Sequence, residues 1–362
     1  MSGPRVITVL APQVGGLDGI SELARQVIGA LGAGGDDHRV VVHSLGDAAG
    51  PPGLGPVAFV GSGGSRTRFA TRVLAAACQA SQGDMVLSLH AHLLPLALPF
   101  AVRGATIASV IVGVEAWHRL AWLPRLGIRK AGRLIAISHH ARARFASANP
   151  EFAARDVRIC HPAVPALPAP AGPPDADPGF ALMVGRLSAA ERYKGHDAVL
   201  EAWPGVRAVH PGARLVVAGD GDDRTRLEQK ARDLGLAGAV VFLGRVDPDA
   251  LARLYRDAAV FVLPSRDEGF GLVYLEAMRA GLACIGCPGA AAEILAHDRT
   301  GVLVPYGDVV AVRDACARLL LDVDRRRRLG AAAAAVVAER FQPAHFRACV
   351  RAALGLAGST PC

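Results

Sequence analysis

No stretch of the chain reaches the roughly 18 uninterrupted apolar residues that a membrane-spanning helix requires, although apolar side chains make up 51% of it. A soluble or peripheral protein is expected. Cysteine is sparse and odd in number: Cys78, Cys160, Cys284, Cys287, Cys316, Cys349 and Cys362 do not form the even, closely spaced set of a disulfide framework. Reduced thiols are expected, and Cys284-Ile285-Gly286-Cys287 lacks the second pair that would complete a zinc site. Ahead of the first apolar run, Met1-Ser2-Gly3-Pro4-Arg5 offers no charged segment followed by a cleavable apolar stretch, so the chain is expected to remain in the cytoplasm. No Gly-x-Gly-x-x-Gly follows that run, which disfavours a nicotinamide-dependent oxidoreductase.

What is present is a twofold alternation of short apolar runs and helical patterns. Val6 to Leu10, Arg39 to His43, Met85 to Leu89, Thr106 to Val112 and Leu134 to Ile137 read as buried parallel strands in the first half. Phe180 to Val184, Arg214 to Ala218, Val240 to Phe242, Ala259 to Leu263 and Ala283 to Ile285 repeat the pattern. A chain of 362 residues is long for one α/β core and comfortable as two. Seven prolines between Pro162 and Pro178 break any helix or central strand. The expected division is a doubly wound domain over residues 1–165, a linker over 166–178 and a second such domain over 179–342. A last helix in 343–362 is expected to pack back on the first domain. Ligands of open α/β sheets bind beyond the carboxyl ends of the strands, so motifs that follow strands carry the functional reading.

The net charge of +8 is uneven. Residues 1–165 carry 16 Lys/Arg against 9 Asp/Glu, leaving 24 against 23 for the rest. Nine basic residues between Arg119 and Arg158 face only Glu151 and Asp156, with Trp117, Trp122, Leu120, Leu123, Leu126 and Ile128 among or beside them. Two readings stand: a surface that touches anionic membrane, placing the protein peripherally on its inner face, or an arginine-rich solvated helix face. No nucleic-acid motif accompanies the charge, so nucleic acid is not an expected partner. Arg325 to Arg328 reads as a solvated helix face.

The most informative segment is Ser265-Arg266-Asp267-Glu268-Gly269-Phe270-Gly271-Leu272-Val273-Tyr274-Leu275-Glu276, which sets two carboxylates eight positions apart around a glycine pair. Gly269 to Gly271 is expected to turn a strand into a helix, exposing main-chain N–H groups and a helix N-terminus to an anion. Glu268 before the turn and Glu276 two helical turns inside it can each accept hydrogen bonds from hydroxyls of one ligand. After the first strand of the second half, Gly185-Arg186-Leu187 and Lys194-Gly195-His196 bring two cations toward the same edge. Arg186 and Lys194 suit a diphosphate leaving group, whose developing charge they stabilise without a metal.

These segments resemble the signature of the retaining glycosyltransferases of family 4, which have the GT-B fold of two facing Rossmann-like domains with a cleft between them. The resemblance implies transfer of a hexosyl unit from a nucleoside-diphosphate sugar to an acceptor hydroxyl. Glu268, Arg186 and Lys194 would be catalytic, and the donor sugar is co-substrate, with no cofactor and no metal. Glu268 and the amides of Gly269, Phe270 and Gly271, with Leu272, would hold the donor, and Glu276 its ribose. Gly15 and Gly16 after the first strand would face the diphosphate. Gly219 in Gly219-Asp220-Gly221 would sit beside the nucleotide, and Arg245 and Val246 against the base. Asp220-Gly221-Asp222 matches a metal-binding Asp-x-Asp, but three further such pairs deprive the pattern of specificity. His90, His92, Glu115 and His118 are candidate acceptor or sugar contacts. Val112 stands where similar proteins usually have a histidine near the transferred sugar, which leaves His90, His92 or His118 to substitute. The acceptor is expected to be a glycan or lipid-linked glycan, and the donor base (UDP, GDP or ADP) stays open. Rival readings are a catalytically impaired glycosyltransferase-like binding subunit, and another GT-B enzyme such as a phosphorylase or sugar-nucleotide epimerase.

Overall fold

The computed structural model describes residues 6–32, 38–168 and 179–356. Two compact units are formed, Met1–Ala163 with Gln342–Cys362, and Val164–Phe341. Residues 169–178 of the expected linker lie outside the described residues.

In the first unit seven strands form one parallel sheet. They are β1 (Val6–Ala11), β2 (Arg39–Ser44), β3 (Ala58–Gly61), β4 (Met85–Ser88), β5 (Thr106–Ile111), β6 (Arg133–Ala136) and β7 (Arg158–Ile159), in the order β3-β2-β1-β4-β5-β6-β7. The second unit has six parallel strands: β8 (Phe180–Val184), β9 (Arg214–Ala218), β10 (Val240–Gly244), β11 (Val260–Val262), β12 (Ala283–Gly286) and β13 (Gly301–Leu303), ordered β10-β9-β8-β11-β12-β13. The order reverses between β1 and β4 and between β8 and β11, the switch points where loops part and ligands bind in such sheets. Central strands are buried throughout, as in β4 and β11, because helices cover both faces; their sequences are therefore continuous apolar runs. The strands absent from the sequence reading, β3, β7 and β13, all lie at sheet edges. There β3 is half-buried along its length and β7 is two residues long, so neither carries an apolar run.

The Pro343–Ala353 helix belongs to the first unit and packs on the Gly19–Gly32 helix. Arg133 Nη1 donates to Ala353 O at 3.3 Å, and the Cys349 thiol donates to Ile159 O at 3.2 Å. The Val323–Arg340 helix departs from the solvated-face reading of its arginines. Arg326 Nη1 donates to Leu319 O and Leu320 O, both at 3.1 Å, and Arg325 pairs with Asp298 at 2.5 Å; Arg327 and Arg328 are exposed. Free main-chain carbonyls at the end of the preceding helix draw the Arg326 guanidinium inward.

A charged network fixes the helices behind β8 and β9. Arg226 bridges Asp197 (2.8 Å) and Asp223 (2.6 Å), Lys230 reaches Asp197 (2.6 Å) and Glu201 (2.5 Å), and Arg192 meets Asp223 through two bonds of 3.1 and 2.8 Å. Asp223 is 4% exposed. The Arg226 hydrogen bonds, with those from Arg192, hold its carboxyl down to about 2. Because that value lies below the ordinary aspartate pKa, the stabilisation is complete above pH about 4 and is lost as the pH falls through 2.

Two outcomes follow from this packing. Asp223→Asn should lower unfolding stability at pH 7 by on the order of 2 kcal/mol. In denaturant titrations its deficit should shrink below pH 4, and a deficit independent of pH would refute the ionic account. Gly330, in the Val323–Arg340 helix, lies so close to the backbone that an added Cβ would stand 1.9 Å from Gly281 O. Gly330→Ala should therefore cost about 1–3 kcal/mol, and an unchanged melting temperature would show that the helix shifts freely.

Candidate active site

Gly271 makes the turn out of β11 possible for two reasons. Its φ of +98° is left-handed, and an added Cβ would lie 2.6 Å from the Tyr274 ring. It caps the Leu272–Arg279 helix. Phe270, 2% exposed, sends its side chain into the unit against Phe341 at 5.8 Å, so its contribution at the turn is the main chain. Tyr274 stacks edge-on to Phe261 at 5.5 Å, and its hydroxyl donates to Leu263 O. The turn thus rests on a buried aromatic layer. Glu268 and Glu276 are half-buried on either side of the turn.

The loop after β8 is held against the turn after β9. Leu187 N donates to Asp220 O (3.0 Å), Asp223 N to Leu187 O (2.8 Å) and Ala189 N to the Asp222 carboxylate (2.9 Å). Gly219 and Gly221 admit this approach, since added Cβ atoms would lie 1.8 Å from Gly185 O and 2.2 Å from Leu187 O. Asp220 pairs with Arg224 at 3.6 Å. The Asp-x-Asp segment accordingly clamps the cationic loop. Beyond it, Gly195 has φ +83° and lies against Pro264, with an added Cβ 2.7 Å from its carbonyl oxygen, while Arg266 N donates to Tyr193 O at 3.0 Å.

These contacts deliver Lys194 Nζ to Glu268 Oε1 at 2.7 Å, both side chains less than one-fifth exposed. Glu191, which sequence reasoning missed, lies 3.8 Å from Lys194 Nζ and pairs with Arg186. Its one local signal is an acidic residue three positions before Lys194. Burial first, and the Lys194 charge second, lower His196 to about 4, so its imidazole is neutral near pH 7. Burial and the carboxylates of Glu191 and Glu268 push the Tyr193 phenol above its ordinary range. Two cations and two carboxylates therefore alternate around one small volume, Arg186 being the most exposed of them.

Of the remaining candidates in the second unit, Glu276 lies on the Leu272–Arg279 helix, and Arg245 and Val246 follow β10. Glu276 accepts a hydrogen bond from Tyr255 at 2.8 Å. Arg245 is exposed and Val246 half-buried after β10, just before Asp247 caps the Pro248–Asp257 helix. Burial pushes the Cys284 and Cys287 thiols up, away from the thiolate that redox or metal chemistry uses.

In the first unit, the loop after β1 carries an internal anion. Val14 N and Gly15 N donate to the Asp47 carboxylate at 2.7 and 3.1 Å, and Ser44 Oγ adds a bond of 2.6 Å. Arg25 Nη1 takes the carbonyls of Val14 and Gly16 at 2.6 and 2.8 Å. An added Cβ at Gly15 would stand 2.9 Å from the Asp47 carboxylate, and one at Gly16 would crowd the Ser21 hydroxyl. Asp47 carried no sequence signal. His90 accepts from His92 N at 3.3 Å, with the two rings 5.1 Å apart. Burial lowers the His90 pKa, opposed by the Glu115 charge and reinforced by His92, which places these three side chains together. Glu115 accepts from Val112 N (3.2 Å) and Gly113 N (3.1 Å) and so closes the turn that begins at the buried Val112. His118 is exposed, and its carbonyl accepts from Asn149.

The profile of the family described as glycosyl transferases group 1 matches residues 179–322. A GDP-mannose-dependent α-(1-6)-phosphatidylinositol monomannoside mannosyltransferase of Mycolicibacterium smegmatis is 32% identical over 266 residues, 66% of this chain and 68% of that protein. The Mycobacterium tuberculosis protein of the same name is 40% identical over 154 residues, and the match spans 40% of each chain. Among solved structures, Anabaena Alr3699/HepE in complex with UDP and glucose superposes with a TM-score of 0.76 at 18% identity, over 97% of this chain and 99% of that one. The fold is therefore that of the GT-B enzymes. With a relative matched over two-thirds of its length and the cationic loop and glycine turn inside the matched region, the chain belongs to the group 1 glycosyltransferases.

Proposed function

We propose that the protein transfers a hexosyl unit from a nucleoside-diphosphate sugar to an acceptor hydroxyl with retention at the anomeric carbon. The observation that carries this reading is the cluster of Arg186, Glu191, Lys194 and Glu268 at the ends of β8 and β11. As the bond to the diphosphate lengthens, Arg186 and Lys194 take up the charge developing on its oxygens. Glu268, relieved of Lys194, orients the sugar hydroxyls and offsets the positive charge of an oxocarbenium-like state. The acceptor hydroxyl attacks from the face the diphosphate leaves, and a departing phosphate oxygen accepts its proton. No enzymic nucleophile enters, and the paired cations supply the charge that a metal would otherwise bring. Glu276 holds the ribose, and His90, His92 or His118 stands in for the histidine that similar proteins usually have at the position of Val112.

Relatives named as GDP-mannose-dependent favour mannose as the unit and guanosine as the nucleoside, with UDP and ADP donors as the comparison. Their phosphatidylinositol mannoside acceptors favour a lipid-linked glycan here. The surface of the first unit supports that choice. The Trp122–Lys130 helix exposes Trp122 to 70% at its start and Arg129 and Lys130 at its end, and Arg119 and Arg142 are exposed nearby. Arg125 pairs with Glu151 at 2.7 Å and Arg155 caps the carbonyls of Ile128 and Arg129, so those two cations are internal. Among the described residues no helix is long and apolar enough to cross a membrane. Peripheral attachment at the inner membrane face is the matching location. The buried Val112 favours a second reading, a donor-binding subunit without turnover. Donor binding with neither transfer nor slow donor hydrolysis would support it.

Assayed with radiolabelled GDP-, UDP- and ADP-sugars, Lys194→Ala and Glu268→Ala should each lower turnover at least about a hundredfold, the scale for losing one oriented electrostatic contact. Wild-type activity should persist in EDTA. Near wild-type kinetics in either variant, or complete loss in EDTA with recovery on adding a divalent ion, would overturn the assignment.

Sedimentation with anionic vesicles should decline with salt and with Trp122→Ala or the pair Arg129→Glu and Lys130→Glu, each cation near the surface contributing about 1 kcal/mol. Equal sedimentation with neutral vesicles would point to a solvated face and a soluble acceptor.

A further inference from the structure

We propose that Tyr255 is a positioning residue for nucleotide recognition, orienting the Glu276 carboxylate toward the vicinal hydroxyls of a ribose. The inference rests on the reading of Glu276 given above and extends it to a residue that touches no substrate. Tyr255 lies on the Pro248–Asp257 helix and Glu276 on the Leu272–Arg279 helix, 21 positions apart in sequence. The phenol is 1% exposed, with its ring 6.0 Å from that of Phe261. Its hydroxyl donates to Glu276 Oε2 at 2.8 Å, whereas the other acceptor within reach, Val273 O, is 3.5 Å away. A buried hydroxyl spends its single proton on the better acceptor, here a carboxylate. Burial and the Glu276 charge push the phenol well above its ordinary pKa, so it remains a donor across the working range.

Glutamate has three side-chain torsions, and ordering them opposes binding. A carboxylate held by a rigid buried donor has part of that freedom removed before any ligand arrives. The Glu276 carboxylate borders a cavity of about 370 Å³, bounded also by Leu167, Ala252, Tyr255, Arg256 and Arg279. The same aromatic layer continues from Tyr255 through Phe261 to Tyr274, whose ring lies under Gly271. One set of buried rings therefore supports both the glycine turn and the second carboxylate.

Calorimetric titration of the full chain with GDP and UDP, and with their 2′-deoxy and 3′-deoxy forms, tests the proposal without an acceptor. The wild-type protein should bind the ribonucleotide about tenfold more tightly than the deoxy form that lacks the contacted hydroxyl, the scale of one hydrogen bond to a charged group. Tyr255→Phe keeps the ring and its packing, which a thermal melt verifies. It should weaken the ribonucleotide up to about tenfold, leave the deoxy form nearly unchanged and bring their ratio to about threefold or less. Glu276→Gln should bring the ratio near one. A wild-type ratio in Tyr255→Phe beside a relaxed one in Glu276→Gln would overturn the positioning role alone and mark Tyr255 as a core residue. A wild-type ratio in Glu276→Gln would overturn the ribose reading of Glu276 and the proposal with it.

Discussion

The ion pair between Lys194 and Glu268 joins the loops leaving β8 and β11, the two strands at which the order of the second sheet reverses. Its 2.7 Å separation depends on backbones that pack without side chains between them. Gly219 and Gly221 bring the turn after β9 against the β8 loop, and Gly195 sits on Pro264. A methyl group at any of these glycines would meet a carbonyl oxygen, so the chemistry of the site is underwritten by close main-chain approach. The charged side chains are then placed by short connections whose two ends are both fixed.

Charge balance explains how such a site stays folded without ligand. Arg186 and Lys194 face Glu191 and Glu268, while the neutral His196 adds nothing to the sum. Behind them Asp223 and Asp197 answer Arg192, Arg226 and Lys230. Half-buried cations without such partners would carry a desolvation penalty that the fold could not recover. The first unit shows the same economy in reverse: the Gly15 loop, whose N–H groups suit an anion, is furnished with one by Asp47.

Much of this was legible in the order of residues. Central strands of a parallel sheet are covered on both faces, so β8 and β11 appear as unbroken apolar runs and β1 as one interrupted only by Thr8. The edge strands β3, β7 and β13 escape the same test, because β3 is half-buried along its length and β7 and β13 are only two and three residues long. The turn at Gly269 to Gly271 was equally plain, since only glycine suits its left-handed residue. The arginines from Arg325 to Arg328 were misread as uniformly solvated because composition does not reveal which carbonyls lie within a guanidinium's reach.

Local chemistry thus determined the two parallel α/β halves, the glycine turn between paired carboxylates and the cations beyond β8, each being a property of a few adjacent residues. Tertiary structure alone decided which charges meet. Lys194 and Glu268 are 74 positions apart, Gly15 and Asp47 32, Tyr255 and Glu276 21. Hydrogen bonds act over about 3 Å, and the distance between such residues is set by how the sheets and helices pack, which no spacing along the chain encodes.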